Sequence, residues 1–143
     1  MVSFVYQSNA LGTINPVRRL VDRARLVGAL SIIDAAQAAP HLALDVQQLG
    51  ADFVAFTGHK LYGPTGIGVL WGRYELLATM APFLGGGEMI ETVSMDASTY
   101  AAPPHRFEAG TPMIAQAPAL AAAIDWLTAL GMDNVREIGR AHV

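Results

Sequence analysis

One lysine, Lys60, stands in the run Thr57-Gly58-His59-Lys60-Leu61-Tyr62-Gly63-Pro64-Thr65-Gly66-Ile67-Gly68, between an apolar stretch and a cluster of glycines. Lysine is the side chain that condenses with an aldehyde to form a Schiff base, so an isolated amine in such a loop is a candidate for covalent chemistry. All other Lys-or-Arg positions are arginine, and a general avoidance of lysine would give the same count. The neighbours of Lys60 therefore carry the argument. Upstream, Asp34-Ala35-Ala36-Gln37 sets an acid at the tip of an apolar run.

A pyridinium nitrogen needs a carboxylate to hold its proton, and an aldehyde cofactor needs a lysine; together they make a pyridoxal phosphate site. An acid at a strand end is also a common helix cap, so Asp34 gains its meaning only in order with His59 and Lys60. His41, His105 and His142 have no ligand-like spacing, and no metal is assigned. Gly63, Gly66 and Gly68 suit a backbone that turns tightly after Lys60 and re-enters a sheet. They do not form a dinucleotide fingerprint, because no glycine follows Gly68 at the required offset and no helix opens there.

Strands and helices must position these groups. Val2 to Tyr6, Leu30 to Asp34, Ala51 to Phe56 and Gly66 to Trp71 are short, apolar and β-branched or aromatic, as strands are. Ser8 to Pro16 reads as a polar loop. Pro16 then opens a helix with Val17, Leu20, Val21 and Ala24 in period, ending near Gly28. Strands alternating with helices argue for an α/β fold with a mostly parallel sheet and flanking helices. Ligands of such sheets bind beyond the carboxyl ends of the strands, where Ser8-Asn9, Asp34 and Thr57 to Lys60 all fall. Further on, Gly85-Gly86-Gly87-Glu88 reads as a flexible loop, Pro112 to Leu130 as an alanine-rich amphipathic helix, and Asp133 to Val143 as the start of another.

Composition narrows the class. The 143 residues are 52% hydrophobic and 15% charged, enough for one domain or a piece of one. A net charge of -3 with no basic stripe gives no footprint for nucleic acid. Arg18, Arg19, Arg23 and Arg25 cluster at helical spacing near Asp22 and read as a solvated helix face. There is no cysteine, hence no disulfide, thiolate metal site or cysteine nucleophile within these residues. No apolar run approaches the length of a membrane helix and no secretory leader is evident, so a cytoplasmic location is expected.

Five ordered motifs resemble fold-type I enzymes related to class V aminotransferases, specifically cysteine desulfurases of the SufS type. They are Ser8 to Thr13, Asp34 to Ala38, Gly58 to Gly68, Gly85 to Ile90 and Arg106 to Pro112, and the resemblance spans nearly the whole chain. Glu88-Met89-Ile90 after the glycine triplet, with Arg106 to Pro112, favours this branch over the NifS-like one. Met113, where the family usually has asparagine, and Gln116-Ala117, in place of a glycine-alanine pattern, are departures.

The resemblance implies a pyridoxal 5'-phosphate cofactor bound to Lys60, which would also move protons at the substrate α-carbon. It implies that Asp34 pairs with the pyridine nitrogen, that Gln37 bonds the ring's phenolic oxygen, and that Thr57 and His59 hold the phosphate. Asn9 would lie by the ring and the substrate carboxylate, and Thr111 would reach the phosphate of a neighbouring subunit's cofactor in a homodimer. The implied reaction takes L-cysteine to L-alanine and an enzyme persulfide for iron–sulfur cluster assembly, with a sulfur-acceptor protein as a further partner. Neither nucleic acid nor membrane is expected as a partner.

By the same resemblance, residues 1–143 form an incomplete large, cofactor-binding domain. The N-terminal part and the C-terminal small domain, with the persulfide cysteine and a substrate-binding arginine, are absent, so this segment alone is expected to be inactive. Other enzymes of the fold, such as a selenocysteine lyase, kynureninase or epimerase, share the cofactor residues. A non-catalytic fragment retaining an interaction surface is the alternative from a different class.

Overall fold

The computed structural model describes residues 1–140. They comprise β1 (Val2–Val5), α1 (Val17–Leu26), β2 (Ser31–Asp34), α2 (Val46–Leu49), β3 (Phe53–Thr57), β4 (Gly68–Gly72), α3 (Tyr74–Leu77), β5 (Ile90–Val93), β6 (Ser98–Tyr100), α4 (Gln116–Leu130) and α5 (Met132–Arg140), with 3-10 turns at Gly58–Leu61 and His105–Phe107. The chain divides into two compact units, residues 1–71 with the segment from 115 onward, and residues 72–114.

In the first unit the strand order is β1-β2-β3-β4. β1 runs parallel to β2 with Val5 opposite Asp34, and β2 runs parallel to β3 with Asp34 opposite Ala55. This mixed α/β arrangement is the one expected from the alternation of strands and helices. Ile33 and Val54 are fully buried and gather Val17 and Val21 of α1 and Leu49 of α2 into one core cluster. A second cluster joins Leu120 and Leu127 of α4 and Val135 of α5 to Ala39 and Leu61.

Local chemistry explains where the elements start and stop. Asp45 caps α2, its carboxylate accepting from the N–H groups of Gln47 and Gln48. Gly50 then closes that helix with φ 65°, a left-handed conformation that glycine adopts without penalty. The arginines of α1 do more than face solvent. Arg18 and Arg25 flank Asp22 at 3.3 and 3.5 Å, and their guanidinium groups donate to the carbonyls of Gln48 and Gly50, tying α1 to the end of α2.

α4 begins at Gln116 instead of Pro112; Pro118 falls in its first turn, where a missing N–H costs nothing. Only Leu120 and Leu127 of α4 are buried, while Ile124, Trp126 and Leu130 are exposed. The helix is thus apolar around its circumference, unlike the amphipathic helix expected, and such helices pack on more than one side. The residues after Arg140 of the last expected helix, with His142, lie outside the described residues. No helix among the described residues is long and apolar enough to cross a membrane.

The second unit has its own anchors. β5 and β6 form an antiparallel hairpin that the sequence pattern did not disclose, pinned by a hydroxyl pair between Thr92 and Thr99. Arg106 donates to the carbonyls of Ala78, Met80 and Ala101, which ties the backbone at 78–80 to that at Ala101. The Gly110 N–H donates to the Gly87 carbonyl, and a methyl group on Gly86 would lie 3.2 Å from Ala109 Cβ, so the glycine-rich loop is held against the Arg106 to Pro112 segment.

β2 and β3 are also joined at their starts. The Asp52 carboxylate accepts from the backbone N–H and the hydroxyl of Ser31 at 2.8 and 2.9 Å, and Ser31 is 1% exposed. Asp52→Ala is expected to leave two buried donors unpaired and to lower stability by about 1–3 kcal/mol. Urea denaturation checks this: the midpoint should fall with an unchanged slope.

Candidate active site

Three neighbouring strands deliver the expected residues to one end of the sheet. Beyond β1, the loop from Ser8 to Thr13 is closed by Ser8 N–H to the Thr13 carbonyl and Gly12 N–H to the Ser8 carbonyl. The Ser8 hydroxyl accepts from the N–H groups of Ala10 and Leu11, and Asn15 donates its side-chain amide to the Val5 carbonyl at 2.8 Å. This loop presents Asn9. The Asn9 side-chain oxygen accepts a hydrogen bond from Gln37 Nε2, so two residues far apart in sequence meet directly.

Asp34 ends β2 with its side chain exposed. One carboxylate oxygen accepts the Ala36 N–H at 2.9 Å, which opens the turn that carries Gln37. The other oxygen accepts no hydrogen bond among the described residues. His41 Nδ1 lies 2.7 Å from the Gln37 carbonyl and closes the same turn from the far side.

Beyond β3, the Gly58–Leu61 turn carries His59 and Lys60, both exposed, while Gly58 and Leu61 are buried. Gly58 cannot carry a side chain here: a Cβ would lie 2.7 Å from Ile67 Cγ2 and 3.1 Å from the Ile67 carbonyl oxygen. The Gly58 N–H donates to that same carbonyl, so the backbone of the turn is pressed against the segment leading into β4. Thr57 Oγ1 and His59 Nδ1 are 2.9 Å apart. Whichever of the two donates, a donor remains free on the pair, either the threonine hydroxyl or His59 Nε2.

Asn9, Asp34, Gln37, Thr57, His59 and Lys60 therefore all lie at the carboxyl ends of β1, β2 and β3, as the sequence suggested. Thr111 lies in the second unit, exposed, next to Gly110. Ser8 was placed with Asn9 at a strand end, whereas Asn15 and His41 were not singled out as site-shaping residues. A serine heading a polar loop is a turn signal that finds Ser8, whereas the His41 contact depends on how the chain folds back after Gln37.

The sequence model of the aminotransferase class-V family matches residues 1–142. The chain belongs to that family. Within it, the chain is similar to a probable cysteine desulfurase of Streptomyces coelicolor, 70% identical over 135 residues that cover 94% of this chain and 32% of the relative. Its fold is similar to the crystal structure of a cysteine desulfurase from Escherichia coli, with a TM-score of 0.89 and 45% identity over 92% of this chain and 33% of the other. The apo cysteine desulfurase of Thermococcus onnurineus NA1 is similar too, with a TM-score of 0.87 and 47% identity over the same shares. The chain thus spans about a third of the length of the class-V relatives it matches.

Proposed function

We propose that this chain is the cofactor-binding segment of the large domain of a pyridoxal 5'-phosphate-dependent cysteine desulfurase. The observation that carries this reading is the meeting of Asn9, Asp34, Gln37 and the Lys60 turn at three adjacent strand ends. The similarity to cysteine desulfurases supports cysteine as the substrate. Enzymes of this family work with pyridoxal phosphate.

The residues fit such a group. An exposed carboxylate at a strand tip, an amide with a spare N–H, a threonine–histidine pair with a spare donor and a lysine without a partner among the described residues are the donor set that a ring nitrogen, a ring oxygen, a phosphate and an aldehyde require. When bound, the cofactor withdraws electrons from the substrate α-carbon. Lys60 would bind the aldehyde carbon and would move a proton to and from the substrate α-carbon. Asp34 holds the proton on the pyridine nitrogen. Gln37, fixed by Asn9 through one amide hydrogen, offers the other to the phenolic oxygen, while Thr57 and His59 hold the phosphate and Asn9 borders the substrate carboxylate.

The sulfur of cysteine passes to a thiolate, leaving alanine and a persulfide. The 143 residues contain no cysteine, so we place that thiolate, and the arginine that reads the substrate carboxylate, in the parts of the enzyme that the relatives have beyond this segment. We further propose a cytoplasmic homodimer, with Thr111 reaching the partner's cofactor phosphate, that hands sulfur to an acceptor protein for iron–sulfur clusters.

A chimera tests the proposal. Residues 1–143 replace the matching third of the Streptomyces coelicolor relative, and alanine and sulfide released from cysteine are measured beside a Lys60→Ala control. The chimera is expected to release both and the 143-residue chain neither. A folded, cofactor-loaded chimera that ignores cysteine but turns over selenocysteine or another amino acid would move the assignment to another enzyme of the family.

A further inference from the structure

Tyr62 closes the turn that carries Lys60 with φ 59° and ψ 8°, and its N–H donates to the Gly58 carbonyl. The Gly63 N–H donates to the same oxygen at 3.0 Å. A left-handed backbone is sterically disfavoured for a residue with a Cβ and persists only where surrounding contacts over-determine it. Here those contacts come from α4. Leu120 packs over the backbone of Gly63 so closely that a methyl group there would lie 2.9 Å from Leu120 Cδ1. Trp126, further along the same helix, meets the Tyr62 ring edge-on, with centroids 6.0 Å apart and planes at 60°.

The aromatic pair is not a core contact. Tyr62 and Trp126 are each 57% exposed, so their meeting buries little apolar surface compared with the buried Leu61 and Leu120 of the neighbouring core cluster. Its effect is on direction: it holds the one side chain of the turn whose backbone is disfavoured. We propose that Trp126 is a positioning residue for Lys60. By holding the Tyr62 ring it fixes the left-handed residue that closes the turn, and so fixes the direction in which the Lys60 amine leaves β3. This inference rests on the reading of Lys60 as the cofactor attachment point.

The test compares Trp126→Ala, Trp126→Phe, Tyr62→Ala and Tyr62→Gly in the 143-residue chain, all at a temperature where circular dichroism shows them folded. One readout needs no cofactor: hydrogen-exchange protection of the amides at positions 62 and 63, corrected for intrinsic rates. The other is borohydride-trapped pyridoxal phosphate on Lys60, counted against the N-terminal amine of the same molecule. Trp126→Ala and Tyr62→Ala are expected to lose about tenfold in protection, the population change that one disfavoured left-handed residue represents, and to lose Lys60 labelling in step. Trp126→Phe keeps an edge-on ring and should restore both.

Tyr62→Gly tests the strained backbone itself. Glycine adopts this conformation unaided, so Tyr62→Gly should be better protected than Tyr62→Ala although it removes more of the side chain. The role of Trp126 is read from the loss in Trp126→Ala and its recovery in Trp126→Phe, with Lys60 labelling moving in step. Protection and labelling of Trp126→Ala at the level of the parent chain, or equal protection in Tyr62→Ala and Tyr62→Gly, would overturn the proposal. A parent chain whose turn is protected but whose Lys60 is never labelled would instead overturn the cofactor reading, and the exchange data would still decide the role of Trp126.

Discussion

Treatment of the chain with pyridoxal phosphate followed by borohydride is expected to leave the pyridoxyl group on Lys60, and Lys60→Ala is expected to abolish it. The chain has two kinds of aldehyde-reactive amine, this side chain and the N-terminus, so peptide mapping separates site chemistry from general reactivity without ambiguity. The side chain is exposed on a turn whose backbone is packed against Ile67, and no partner among the described residues competes for the amine. Label on the N-terminal amine alone would remove the basis for Lys60 as the attachment point.

The second large effect belongs to Asp34. In the chimera, Asp34→Ala should still load the cofactor on Lys60, because Gln37, Thr57 and His59 are untouched. Exchange of the cysteine α-proton with solvent should nevertheless slow by about a hundredfold or more, the scale on which one preorganised charge acts on a developing carbanion. Asp34 holds its place through the Ala36 N–H and the register that sets it opposite Val5 and Ala55, and alanine keeps that register. An α-proton exchange rate equal to that of the parent chimera would show that the carboxylate does not serve the ring nitrogen.

Much of this site was legible before any coordinates because its parts are local. Asp34 and Gln37 share one turn, Thr57, His59 and Lys60 another, and a strand end placed each of them. The sheet was legible for the same reason: its strands are short β-branched and aromatic runs separated by helical stretches. What escaped notice depends on contacts between remote residues. Nothing near Trp126 announces that it meets Tyr62, and nothing near Arg18 announces that it reaches the end of α2. The β5–β6 hairpin escaped because all its residues are exposed, so no burial pattern alternates along it. Its turn, Ser94 to Ala97, is closed by the Ser94 hydroxyl and backbone and carries no glycine.

The strands lie side by side in the order in which they occur in the chain, whereas the helix that braces the Lys60 turn comes from far downstream. On a ribosome adding about 5–20 residues per second, β1 to β3 and the candidate site residues that follow them emerge several seconds ahead of Leu120 and Trp126. During that interval the contacts of Leu120 with Gly63 and of Trp126 with Tyr62 have no partner to form with. Under the proposed role of Trp126, synthesis of α4 is therefore the step at which the direction of the Lys60 amine becomes set.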